Sequence, residues 1–225
     1  MKKLVVTLIT VLSVVSVFAQ TNLHINQGLL MGSLSAEKLV DGETPPLPVL
    51  VTLESTKVRD RSVTYALIQG SFVEYSFTYA QFFHEIALGS SPFSAHLEFR
   101  TYNFNYNVIY AGLSYSVSTE NGMVAIEPLY RNGSLDLFHD RGWRWNSSSF
   151  QLSVVTGHDW KTCNLNTFTD FYTGSADGSK AGWYSEVWIY FPIFEGIEIG
   201  IITQFSAELG SKVNYALYPG FKILF

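Results

Sequence analysis

Along much of this chain apolar and polar residues take turns. Phe93, Ala95, Leu97 and Phe99 alternate with Ser94, His96, Glu98 and Arg100, and Phe150, Leu152 and Val154 alternate with Gln151 and Ser153. Ile197, Ile199, Ile201 and Phe205 share one parity, Glu198, Gln204 and Ser206 the other. Successive side chains of a strand point to opposite faces, so each run reads as a strand with one apolar and one polar face. Turn-forming residues divide the chain into about twelve such runs. They lie near residues 22–31, 47–55, 62–71, 74–88, 92–102, 107–118, 122–131, 148–158, 163–173, 183–194, 197–207 and 213–225.

Two all-β architectures use strands of this kind. A soluble sandwich buries the apolar face and wets the polar one; a transmembrane antiparallel β-barrel turns the apolar face to lipid and the polar one to its interior. The spacing of the connections favours the barrel. The long ones, 32–46, 132–147 and 174–182, are the first, seventh and ninth, all odd. Even ones such as 89–91, 159–162 and 195–196 are short, with 56–61 the longer exception. A barrel with both termini in the periplasm has this long-outside, short-inside rhythm and an even strand count. About twelve strands of about ten residues account for the chain, with ten strands the nearest alternative. The interior would then lie between a filled small barrel and an open porin.

The chain ends add to this. Lys2 and Lys3 precede an apolar run over residues 4–18 that closes on Val17-Phe18-Ala19, the pattern of an export signal cleaved before Gln20. The rival, a retained anchor, would need ~20 apolar residues, and this run is shorter and carries Thr7, Thr10, Ser13 and Ser16. The expected organisation is therefore a signal peptide at 1–19 and a single barrel domain at 20–225. In residues 215–225, Leu217, Phe221, Ile223 and Phe225 share one face and Ala216, Gly220 and Lys222 the other. This segment resembles the terminal strand by which outer-membrane barrels are recognised for insertion. The resemblance implies the barrel assembly machinery as a partner, through the strand ending at Phe225.

Composition narrows the function classes. The chain has 225 residues and a net charge of −5, which becomes −7 once Lys2 and Lys3 leave with the signal, a poor balance for nucleic acid. Hydrophobic residues make up 47% and aromatic residues 16%, yet no later segment has the unbroken apolar length of a spanning helix. That combination suits many two-faced strands with aromatic girdles. Cys163 stands alone, so neither an internal disulfide nor a metal–thiolate cluster is expected. No cofactor is expected, and no metal, since spacing such as His-Glu-x-x-His is missing from the sequence.

Three patches carry a family resemblance: Val51-Thr52-Leu53-Glu54 with Ser62-Val63-Thr64-Tyr65; His84-Glu85-Ile86-Ala87-Leu88 with Pro92-Phe93-Ser94-Ala95-His96-Leu97-Glu98; and residues 215–225. Together they resemble an outer-membrane family related to the Tsx-like nucleoside-specific channel-forming proteins. The resemblance implies a monomeric twelve-stranded barrel in the outer membrane of a Gram-negative bacterium. Kinship with the better-known branch implies nucleosides as substrates. None of that branch's ligand-contacting residues is carried onto this chain.

Strand parity gives the candidate lining. The interior-facing set includes Glu54, His96, Glu98, Arg100, Tyr110, Glu127, Arg131, Asp170, Tyr172, Tyr184, Glu186, Tyr190 and Glu198, joined by Glu85 if a bulge near Gln81 shifts the register of the fourth strand. Aromatic faces stack on bases, while amides and carboxylates bind sugar hydroxyls, so a small polar solute such as a nucleoside suits this lining. The same groups also satisfy one another in any small barrel, for example Glu98 with Arg100 or Glu127 with Arg131. The loop 132–147 gathers His139, Arg141, Trp143, Arg144 and Trp145. These residues fit a constriction folded into the pore, or an outer rim where the tryptophans meet the bilayer interface and the arginines meet lipopolysaccharide phosphates. The expected function is a passive channel rather than an enzyme. Two rivals are a structural or adhesive barrel and a barrel hydrolase, the latter resting on Ser94, His96 and Glu98 sharing one face.

Overall fold

The computed structural model describes residues 20–27, 30–33, 49–71, 76–102, 106–132, 134–135, 143–144, 148–174 and 180–224. The expected signal peptide and Phe225 lie outside the described residues. Twelve antiparallel strands form a closed barrel. β1 runs over Gln20–Gln27 and resumes over Leu30–Ser33, both parts pairing with the last strand. Then follow β2 (Val49–Arg59), β3 (Ser62–Ser71), β4 (Ser76–Ala87), β5 (Phe93–Tyr102), β6 (Tyr106–Thr119) and β7 (Gly122–Asn132). β8 (Ser149–Asp159), β9 (Asn164–Tyr172), β10 (Gly182–Phe194), β11 (Ile197–Glu208) and β12 (Asn214–Leu224) complete the wall. Each strand pairs with its neighbours in sequence, and β12 returns to β1 with Leu23 opposite Ile223 and His24 opposite Lys222. Closure leaves no sheet edge, the condition for placing backbone polar groups in hydrocarbon.

Two local expectations are corrected. The connection expected over 56–61 is a tight turn at Asp60 and Arg61, because β2 continues to Arg59. Thr56 and Lys57 look like loop by polarity, but a strand leaving the apolar belt meets water and headgroups, where polar side chains suit both faces. The bulge expected near Gln81 lies earlier: Gln69 opposes Tyr79 and Gly70 opposes Phe77, so Thr78 is the extra residue. It still sets the phase of β4 that turns Gln81, Phe83 and Glu85 inward. A second irregularity between Pro192 and Phe194 precedes the turn at Gly196, whose φ of 74° favours glycine.

The outward face is an apolar belt. Leu97, Val124, Ile126, Phe150, Leu152, Phe171, Ile199 and Ile201 are all exposed, Leu97 at 57% and Phe150 at 64%. So large a contiguous apolar surface has no place in water and is matched to lipid. No described helix is long and apolar enough to cross a membrane; the strands carry the apolar surface.

Inside, Tyr190, Ile202, Ala216 and Tyr218 pack together with Trp188, and Val108, Tyr110 and Leu129 form a second cluster. The Tyr190 ring lies over Gly200, where a Cβ would meet the Ile189 carbonyl oxygen and come within 2.6 Å of Tyr190 Cδ1. Gly200→Ala is therefore expected to destabilise the barrel by about 1–3 kcal/mol through overpacking. A lower temperature for loss of the fast-migrating folded band on SDS gels checks this; an unchanged temperature refutes it.

Candidate functional site in the barrel interior

Cross-strand register places the polar residues of β4 to β9 in one belt. Gln81 lies opposite Arg100, Phe83 opposite Glu98, Glu85 opposite His96, and Ser153 opposite Asp170. Arg100 is the centre. Its Nε donates to Glu98 Oε1 at 2.5 Å, Nη2 to Glu98 Oε2 at 3.1 Å, and Nη1 to Asp170 Oδ2 at 2.6 Å. The fork of the guanidinium suits such paired recognition. Asp170 stands on β9, four strands round the wall from β5, so this link crosses the interior. The guanidinium also lies 4.6 Å from the Tyr110 ring and 5.2 Å from the Phe168 ring. Ser153 Oγ donates to Asp170 Oδ1 at 2.5 Å, and Gln151 donates to Ser153 at 2.9 Å. Each buried charge of the bridge thus has partners, as burial requires.

Beside the bridge, His96 is held between carboxylates, with Nδ1 2.9 Å from Glu85 Oε1 and Nε2 3.4 Å from Glu98 Oε2. Glu127 Oε1 is 3.8 Å from the same Nδ1 and accepts from Ser114 Oγ at 3.3 Å. Both ring nitrogens face carboxylates, which gives no support to a Ser94–His96 nucleophile pair. Phe83 stacks on His96 with centroids 5.3 Å apart, and Tyr65 stacks on Phe83 at 5.0 Å, giving a three-ring ladder on β3, β4 and β5.

A second group centres on β1, β2 and β10 to β12, joined by Tyr65 from β3 and Asn164 from β9. His24 Nε2 is 3.0 Å from Glu54 Oε1, and its Nδ1 is 3.1 Å from the Tyr190 hydroxyl. Asn22 and Tyr65 also donate to Glu54, at 2.8 and 3.1 Å. Lys222 reaches Glu198 at 3.4 Å, and Asn164 donates to the same carboxylate at 2.5 Å. Glu186 accepts from Tyr184, from Trp188 Nε1 at 2.7 Å and from Gln204 at 2.6 Å.

The register puts Glu54, Glu85, His96, Glu98, Arg100, Tyr110, Glu127, Arg131, Asp170, Tyr172, Tyr184, Glu186, Tyr190 and Glu198 all on the inward face. They differ in access. The side chains of Glu54 and Glu85 are 16% and 14% exposed, whereas that of Glu98 is 1% exposed beneath Arg100 and His96. Glu127 is drawn towards Glu85 and His96. Of the loop candidates, His139, Arg141 and Trp145 lie outside the described residues. The backbone of Trp143 and Arg144 pairs with Leu135 and Ser134 in a short ladder. Acidic groups outnumber Arg100, Arg131 and Lys222 on this face.

His24, Tyr65, Gln81, Phe83, Ser153, Phe168 and Trp188 also belong to the site and were not singled out from the sequence. His24 between Leu23 and Ile25 had the parity signal, as did Phe168 beside Asp170 and Trp188 beside Glu186, whereas the inward phase of Phe83 depends on the bulge at Thr78.

The barrel is similar to the NanC porin, with a TM-score of 0.59 over 89% of this chain and 98% of that one at 10% identity. It is likewise similar to the KdgM porin, with a TM-score of 0.52 over 91% of this chain and 99% of that one at 9% identity. At such identities the likeness concerns the fold, that of outer-membrane porins. No protein-family model and no curated protein matches the sequence.

Proposed function

We propose that this protein is a narrow passive channel of the outer membrane that favours small neutral or cationic polar solutes, nucleosides foremost. The observation that carries this reading is the closed barrel with a lipid-matched exterior and an acidic, aromatic interior. The inward excess of carboxylates repels anions, and the Tyr65–Phe83–His96 ladder offers flat faces beside carboxylates and amides, the two chemistries a nucleoside requires. Two of the three segments that carry the Tsx-like resemblance lie along β2 to β5 and supply Glu54, Tyr65, Glu85, His96 and Glu98 to this interior. In this proposal the constriction is made by Arg100, Glu98 and Asp170 on the wall, and the loop 132–147 forms the outer rim, with Arg141 and Arg144 on lipopolysaccharide and Trp143 and Trp145 at the interface. Insertion would use the terminal strand ending at Phe225. The protein would act as a monomer and catalyse nothing.

The cross-lumen Arg100–Asp170 link favours a second reading, a closed structural barrel. Single-channel recording of the refolded protein in planar bilayers separates the two. The channel reading expects small discrete openings, cation over anion permeability, and saturable block by uridine and adenosine but not glucose. No openings from folded protein favour the structural barrel, and openings blocked equally by glucose refute nucleoside preference.

A further inference from the structure

Three strands bring a mixed nitrogen and oxygen donor set to one point in the middle of the barrel wall, on the side of the short turns. Glu85 stands two residues before the end of β4, His96 at the fourth position of β5, and Glu127 at the midpoint of β7. One donor atom from each lies within 4.8 Å of the others. Measured from His96 Nδ1, the carboxylate oxygens are at 2.9 Å for Glu85 and 3.8 Å for Glu127. Ligands at the ordinary zinc distances of about 2.0–2.2 Å in a tetrahedron are separated by about 3.4 Å, a value these two spacings bracket.

The surroundings are those of a ligating histidine. The far nitrogen, Nε2, faces Glu98 Oε2 at 3.4 Å, and Glu98 is clamped by Arg100. A carboxylate behind one ring nitrogen holds the proton there and leaves the other nitrogen with its lone pair forward. Ser114 Oγ steadies the Glu127 oxygen that points at the site. When Nδ1 carries a hydrogen it donates to Glu85; without it, three lone-pair donors converge. Two carboxylates and a neutral imidazole carry a charge of −2, the complement of a divalent cation. Access comes from the lumen past Glu85, whose side chain is 14% exposed against 1% for His96.

We infer that Glu85, His96 and Glu127 form a lumenal site for one divalent transition-metal ion, of the zinc type, with a further position open to water. The imidazole sets its preference: Mg²⁺ and Ca²⁺ take all-oxygen shells, whereas borderline ions accept nitrogen with oxygen. Three strands separated in sequence supply the ligands, so no local spacing announced the site. The inference does not depend on transport; a structural barrel would hold the ion as well.

Isothermal titration of the folded, detergent-solubilised barrel with zinc chloride tests it, with magnesium and calcium chlorides as controls and cobalt(II) absorption as a second readout. The expected result is one zinc ion per chain at micromolar affinity or tighter, no magnesium or calcium binding in that range, and visible cobalt bands of a low-coordinate site. Glu127→Gln and Glu85→Gln, which keep side-chain size, should each weaken zinc at least about tenfold and bleach the cobalt bands. His96→Gln should do the same; if it fails to fold, the two glutamine variants decide. Absence of micromolar zinc binding by the wild-type barrel overturns the inference, as does unchanged affinity in the folded Glu85→Gln and Glu127→Gln variants.

Discussion

Replacing Arg100 by methionine is expected to cost the folded barrel about 3–5 kcal/mol, because it strands Glu98 and Asp170 as buried carboxylates without their cation. The guanidinium makes three hydrogen bonds to the two acids, at 2.5, 2.6 and 3.1 Å. Its loss leaves like charges facing each other, with Gln81, His96 and Ser153 among the described groups that still hydrogen-bond to them. The effect is electrostatic rather than steric, which gives a sharp control: Arg100→Met combined with Glu98→Gln and Asp170→Asn should recover most of the loss. Urea unfolding in liposomes, followed by tryptophan fluorescence, measures both. If Arg100→Met matches the wild type, the bridge contributes nothing to stability. The same variants bear on conduction, since Arg100 reaches across the interior. A folded triple variant should conduct more than the wild type, and equal conductance would place the bridge away from the narrowest point.

The second large effect concerns the opposite face. Leu97 is 57% exposed and sits mid-strand on β5, between inward His96 and Glu98. In a soluble protein, Leu97→Arg at such a position would be nearly neutral. In a lipid-facing position near the bilayer midplane it should cost about 2–4 kcal/mol, falling to about 0–1 kcal/mol near the interface. Phe194→Arg, at the end of β10 beside the turn at Glu195 and Gly196, serves as the interfacial comparison. Unfolding titrations in liposomes should rank Leu97→Arg well below Phe194→Arg. Equal, negligible costs would contradict the membrane-spanning assignment of this belt.

Parity explains why so much was legible beforehand. Leu97 outward and Glu98 inward follow from a two-residue period that survives wherever one face meets lipid and the other does not. The same logic placed Glu186 and Gln204 on one face, and the register sets them directly opposite each other with a hydrogen bond between them. It failed where the two-faced environment ends, at Thr56 and Lys57, and where an extra residue interrupts it, at Thr78. Phe83 and Trp188 were not among the interior candidates, yet their rings pack on histidines inside; Trp188 shares the parity of Glu186 and Tyr190, while Phe83 takes its inward phase on the far side of the bulge at Thr78.

By itself the sequence determined the class of fold, the succession of strands and which residues share a face, because these depend on neighbours in the chain and on a period of two. Only the tertiary structure decided that Arg100 meets Asp170, that His24 meets Tyr190, and that Glu85, His96 and Glu127 converge. Those meetings depend on closure and on the stagger between strands, which set who faces whom around and across the interior. The Arg100–Asp170 contact spans seventy positions of chain, a separation over which no local pattern carries information.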